Sequence, residues 1–257
     1  MPTNAAAAFG EEIGKLFEDT ILKGLSDDVK ARGCMIKPAK MKNGTGNVYQ
    51  IDAVVFDKDG NPLIIIDPKY IRYTKHNRDK GSWLCVAHYN LRKTFPTIRK
   101  SIAILAGRWS EPSIALIKSF GVEVFEVPFT VFINALETEG IAFNWAENDR
   151  HASTKAWESF CELKYTKKIQ IMDKITSEMM PLLRKEVMQV LDTDVNTIPQ
   201  RVKQVEILLK TDRNEMLLST FDSVSQALSY LVELVADKKD ISHGKGKNKK
   251  GKGFLIM

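Results

Sequence analysis

The run VYQIDAVVF at 48–56, the polar DKDGNP at 57–62 and the apolar LIIID at 63–67 constrain this chain more than any other stretch. Two apolar, β-branched segments around a short turn containing Asp59-Gly60 specify an antiparallel hairpin, because glycine supplies the positive φ that a tight turn needs. With Asp59 and Gly60 as the whole loop, Lys58 faces Asn61, and the same register places Asp52 opposite Asp67. A four-residue loop keeps that pairing, whereas a three- or five-residue loop shifts it. Opposed residues on one sheet face have Cβ atoms about 4.5–5.5 Å apart, so the kept register makes two carboxylates converge.

Side chains alternate along a strand, so Lys69 lies on the face of Asp67, with Pro68 between them pointing away and donating no hydrogen bond. Like charges opposed between Ala-Val-Val and Ile-Ile-Ile are costly without a cation to share. Two carboxylates and the Pro68 carbonyl are the hard oxygen donors that Mg²⁺ takes in phosphate chemistry while keeping several waters. A third acid comes from a helix over 8–25, where Phe9, Ile13, Leu16, Phe17, Ile21 and Leu25 fall at helical spacing. Glu18 lies on the flank of that apolar face and Glu11 one ridge away. Either can look into the sheet, and Glu18 is preferred because packing residues bracket it.

The pattern continues with a helix over 79–95, a buried strand SIAILAG at 101–107, a short helix at 111–121 and a strand VEVFEVP at 122–128. This predicts a mixed α/β sheet. Beyond residue 130 helical periodicity prevails through 152–191, 199–210 and 213–237, which predicts a second, helical domain over 131–237. Within it Leu217, Phe221, Val224, Leu228, Leu231 and Val235 make a short heptad seam, read first as packing inside a bundle and second as a dimer contact. Residues 238–257, rich in lysine and glycine, are expected to be a flexible cationic tail, and the role of its FLIM segment is open.

The order of a helix with glutamate, a strand with aspartate, a strand with Asp-x-Lys and a basic helix resembles the PD-(D/E)xK nuclease superfamily, to which many restriction endonucleases and Holliday junction resolvases belong. Gly14, Phe17 and Glu18 in GKLFEDTI, Asp52 in YQIDAVV, and Asp67 with Lys69 in IIIDPKY carry the resemblance over roughly residues 8–128. Ile51 replaces the proline of the family's name, and Pro68 fills its variable slot. The resemblance implies a restriction endonuclease-like αβββαβ core over 1–130. It also implies catalytic Glu18, Asp52, Asp67 and Lys69, with Mg²⁺ held by Asp52, Asp67 and the Pro68 carbonyl. The implied activity is that of a Mg²⁺-dependent endodeoxyribonuclease, of type II restriction character and working as a homodimer on double-stranded DNA. A repair or recombination nuclease of the same fold, or a non-catalytic DNA-binding module, is the alternative.

Charge fits such a partner: the 257 residues carry a formal net +6, with 44% hydrophobic content sufficient for a core. Arg72, Lys75, Arg78 and Lys80, interleaved with tyrosines straight after the Asp-x-Lys, are read as phosphate contacts, as are Arg92 and Lys93 at the end of the next helix. His88 and Tyr89 can line the site, with His88 read first as a surface or half-buried residue. Three widely spaced cysteines suggest neither a disulfide framework nor a zinc knuckle. With no signal-like start, no apolar run long enough for a membrane and no GxxxxGK[ST] loop, the expectation is a cytoplasmic protein without membrane or nucleotide cofactor.

Overall fold

Asn4 starts the first helix, α1 (Ala5–Lys30), its side-chain oxygen accepting from the Ala7 N–H at 3.1 Å; this satisfies one of the donors that a helix start leaves open. The computed structural model describes residues 4–193 and 202–236, apart from the side chains of His76 and Ala236. After α1 come β1 (Met35–Lys42), β2 (Val48–Phe56), β3 (Pro62–Ile71), α2 (Asn77–Thr94), β4 (Lys100–Gly107), α3 (Glu111–Ser119) and β5 (Glu123–Pro128). The five strands lie in the order β1-β2-β3-β4-β5. The β1/β2 and β2/β3 pairs are antiparallel, and β3/β4 and β4/β5 parallel. The sheet is therefore mixed, as its sequence pattern predicts.

β1 escapes the sequence reading because MIKPAKMK carries three lysines and an internal proline. Its place explains both: it is an edge strand, where Lys37, Pro38, Lys40 and Lys42 are exposed and discourage pairing with another chain.

The expected boundary near residue 130 does not exist. α4 (Phe129–Glu137), α5 (Arg150–Glu162), α6 (Tyr165–Thr176) and α7 (Met179–Asp192) share one core with α1 and one face of the sheet, and the first compact unit runs to Thr193. Phe132, Phe160, Met172, Leu183 and Val187 are fully buried with Phe9, Ile13 and Phe17 of α1. The helices at 131–191 thus complete the core that α1 begins. Phe9 is its aromatic hub, with ring centroids 5.0 Å from Phe143, 5.8 Å from Trp145, 5.7 Å from Trp157 and 4.7 Å from Phe160. Phe9→Ala is expected to destabilise the fold by about 3–5 kcal/mol, to be read as a lowered denaturation midpoint in urea. α2 and α3 cover the opposite face through Leu84, Cys85, Ala87, Leu91 and Ile117.

The second unit corrects the helical expectation for 199–237. Residues Val205–Lys210 and Met216–Phe221 are strands β6 and β7 of an antiparallel hairpin, followed by α8 (Val224–Ala236). The turn between them is held by the Thr211 hydroxyl, which accepts from the Arg213 and Glu215 N–H groups, with Asn214 at φ 62. Apolar residues from Leu217 to Val235 recur at steps of three and four and so mimic a helical period, whereas the Thr-Asp-Arg-Asn turn at 211–214 is the feature that marks a hairpin. The heptad seam is accordingly divided, with Leu217 and Phe221 on β7 and the other four residues on α8. The tail at 238–257 lies outside the described residues. Among the described residues no helix is long and apolar enough to cross a membrane.

Candidate active site

β2 and β3 reach the pairing that converges the two aspartates by a route with compensating irregularities. Lys58, Asp59 and Gly60 form the loop, closed by Asp57 N–H donating to the Asn61 carbonyl at 2.9 Å, with Gly60 at φ 82. Such a loop alone would shift the register. A bulge that inserts Leu63 restores it, so Phe56 faces Pro62 but Val55 faces Ile64 and Ala53 faces Ile66. Beyond that pair the ladder ends, and Asp52 N–H donates to the Asp67 side-chain Oδ1 at 3.1 Å.

A second bulge aims Asp52. Lys37 pairs with Val54 and Ala39 with Ile51, so Asp52 and Ala53 share the place opposite Pro38, which has no N–H to give. Alternation breaks there: Ile51 packs toward α2, and Ala53, two residues on, packs toward α1.

The Lys69 ammonium hydrogen-bonds Asp52 Oδ2 and lies 3.7 Å from Asp67 Oδ1. Trp109 Nε1 donates to the Lys69 carbonyl at 3.4 Å, which fixes the backbone beside the proline. Asp67 is only 3% exposed, and its Oδ2 lies 3.2 Å from Nε2 of His88 on α2. His88 is fully buried, not a surface or half-buried histidine. Its role depends on α2 crossing behind β3, which no local spacing reports.

Electrostatics separate the four charged groups. Burial, then the nearby Asp52, push Glu18 up from 4.5 to about 7, against the pull of Lys69. Burial followed by Asp67 raises Asp52 above the usual carboxylate range. For Asp67 burial works upward too, but the His88 hydrogen bond and the Lys69 charge outweigh it, and the net shift is downward. Burial lowers the Lys69 pKa, yet Asp67 and Asp52 more than reverse this, so it stays an ammonium at neutral pH. Three carboxylates thus surround one ammonium, and when all are ionised two negative charges are left over. Among the described residues no three His, Cys, Asp or Glu side chains group closely enough to ligate one ion. Two carboxylates with main-chain and water oxygens are nevertheless a donor set suited to Mg²⁺.

Glu18 has a measurable consequence for stability. The folded protein keeps the Glu18 proton across the window from 4.5 to about 7, where the unfolded chain has lost it. Its contribution is therefore fully present below that window and disappears as pH rises through about 7. In EDTA, Glu18→Gln is expected to be more stable than the parent at pH 8, by about 1–2 kcal/mol after allowance for partial exposure, and not at pH 4. Thermal melts at the two pH values check this.

Glu18 and Lys69 line one cavity of about 590 Å³, together with Lys15, Lys75, Lys80 and the first turns of α1. Lys80 is exposed, and its pKa is lowered by partial burial and by Lys69. Arg78 and Lys93 are exposed as well. Two other basic residues are committed within the fold, which corrects their reading as phosphate contacts. Arg72 is buried over Trp145, 3.7 Å from the ring centroid, and Nη2 donates to the Phe143 carbonyl at 2.7 Å. Arg92 donates to the Phe120 and Gly121 carbonyls at the end of α3, whereas Lys75 pairs with Glu147 at the surface and stays exposed. Runs of basic residues read alike in sequence; only packing tells a structural cation from an available one.

No family model matches this chain, nor does any curated protein. A solved structure described as a "protein of unknown function AF1548" is similar at 11% identity, over 69% of this chain and 98% of that one, with a TM-score of 0.32. At that score the likeness carries no argument about function.

Proposed function

We propose that the protein is a Mg²⁺-dependent endodeoxyribonuclease with the restriction endonuclease-like core of the PD-(D/E)xK superfamily. The observation that supports this reading best is the convergence of Glu18, Asp52 and Asp67 on the Lys69 ammonium at the fork between β2 and β3, beside an open cavity edged with lysines. A purely structural ion pair needs one acid per base. The surplus of carboxylates suits a site that takes up a cation together with a phosphodiester.

Asp52, Asp67 and the Pro68 carbonyl would hold the ion. When bound, Mg²⁺ neutralises charge on the scissile phosphate and lowers the pKa of a coordinated water. Lys69, kept cationic by its two aspartates, binds the phosphate or orients the water, and its raised pKa argues against a role as free base. Glu18, with its pKa near 7, can accept a proton at neutral pH or act through Lys69. Lys80, Arg78 and Lys93 supply backbone contacts, and two copies of the chain would cut both strands of a duplex.

Supercoiled plasmid incubated with the protein and MgCl₂ is expected to be nicked and linearised, and EDTA to stop it. Intact plasmid across a range of Mg²⁺ and Mn²⁺ concentrations would refute the reading. Sequenced termini then separate the type II restriction character, with identical ends, from a structure-selective nuclease with scattered ones.

A further inference from the structure

We infer that His88 is a positioning residue that locks the Asp67 carboxylate in the orientation required for divalent-cation binding; this rests on the nuclease reading above. Asp67 is held at both oxygens, Oδ1 by the Asp52 N–H at 3.1 Å and Oδ2 by His88 Nε2 at 3.2 Å. Rotation of an aspartate about its Cβ–Cγ bond is otherwise soft, and a carboxylate tied at one oxygen alone can swing. Two donors at opposite ends fix its plane while leaving lone pairs on each oxygen for a cation. Lys69, at 3.7 Å from Oδ1, is too far to replace either bond.

The histidine is an expensive way to fill this place. It is fully buried on α2, and its Nδ1 has no hydrogen-bond partner among the described residues. Its neighbours on that face of α2 are Leu84, Cys85, Ala87 and Leu91, so an apolar side chain would pack there without burying an unpaired ring nitrogen. What an apolar residue cannot do is donate to Asp67. Because Nε2 faces a carboxylate, it carries the proton, and in the neutral ring Nδ1 is then the bare acceptor. His88 does not touch the ion or the substrate; it acts through Asp67, as partners behind metal ligands do.

The test is calorimetric titration of MgCl₂ into the native protein, His88→Leu and His88→Gln, with folding of each verified by circular dichroism and melting in EDTA. His88→Leu is expected to weaken Mg²⁺ binding about tenfold or more. His88→Gln, which keeps a donor, is expected to recover most of it even where its melting temperature falls. A folded His88→Leu with native Mg²⁺ affinity overturns the inference and leaves the nuclease reading intact. Native protein that binds no Mg²⁺, with or without DNA, overturns both. Should His88→Leu fail to fold, imidazole ¹⁵N spectra of the native protein decide: an Nε2-protonated ring whose signals move on adding MgCl₂ supports the inference, and an Nδ1-protonated or unresponsive ring overturns it.

Discussion

Asp67→Ala is expected to lower DNA cleavage by about 10³-fold or more, a loss at or above the upper end of that seen when one preorganised electrostatic group is removed. The size follows from how much converges on this side chain. The Asp52 N–H, His88 Nε2 and the Lys69 ammonium all face it, so truncation removes a proposed Mg²⁺ ligand, frees two hydrogen-bond donors and takes away one of the two aspartates beside Lys69. Folding must be kept apart from chemistry, because a buried donor stripped of its partner destabilises by about 1–3 kcal/mol. Asp67→Asn separates the two: the shape is kept and Oδ1 still accepts from Asp52, but the charge is lost. It is expected to be folded by circular dichroism and inactive in the plasmid assay. Cleavage within tenfold of the parent by a folded Asp67→Asn would remove Asp67 from the mechanism.

Gly107→Ala is expected to produce the largest loss of stability of any single methyl addition in the sheet. Gly107 ends β4 at φ 96, where an L side chain is strained, and a Cβ there would lie 2.1 Å from the Ile71 carbonyl oxygen. That oxygen cannot simply retreat, since it accepts from the Arg108 N–H at 2.7 Å, and Ile71 is the residue paired with Gly107 between β3 and β4. Backbone strain and collision together are expected to cost more than about 3 kcal/mol. For a chain of this size that lowers the melting temperature by roughly 6–12 °C or more. Calorimetry of the purified variant measures it, and a shift under about 2 °C would show that the strands part more easily there than the geometry allows. Because β3 carries Asp67 and Lys69 in the same ladder, cleavage should fall along with stability.

The site shows where local pattern stops being informative. The apposition of Asp52 and Asp67 was legible from the hairpin, although the real turn is the three-residue kind that would have separated them and a bulge at Leu63 undoes its shift. Glu18 was legible from its place on the amphipathic face of α1. His88 was not, because a lone histidine on a helix carries no sign of what the helix is pressed against. Arg72 and Lys80 look equivalent in sequence, yet one is enclosed among aromatic rings and the other is exposed beside the acids. β1 hid behind the lysines and proline that protect an edge, and β6 and β7 behind leucines that fit a helical period equally well.

Short-range chemistry in the chain alone settled the α/β class, the hairpin and the leading helix, and put Asp67 and Lys69 on one face of a strand. Those features depend on side-chain periodicity and on residues a few positions apart, which any reading of neighbours can count. Tertiary structure alone decided that the helices after residue 130 complete the first core, that a histidine from α2 grips Asp67, and which cations remain available. Each of these depends on contacts between segments far apart in the chain, and burial reassigns the role of a charged group only once those segments have met.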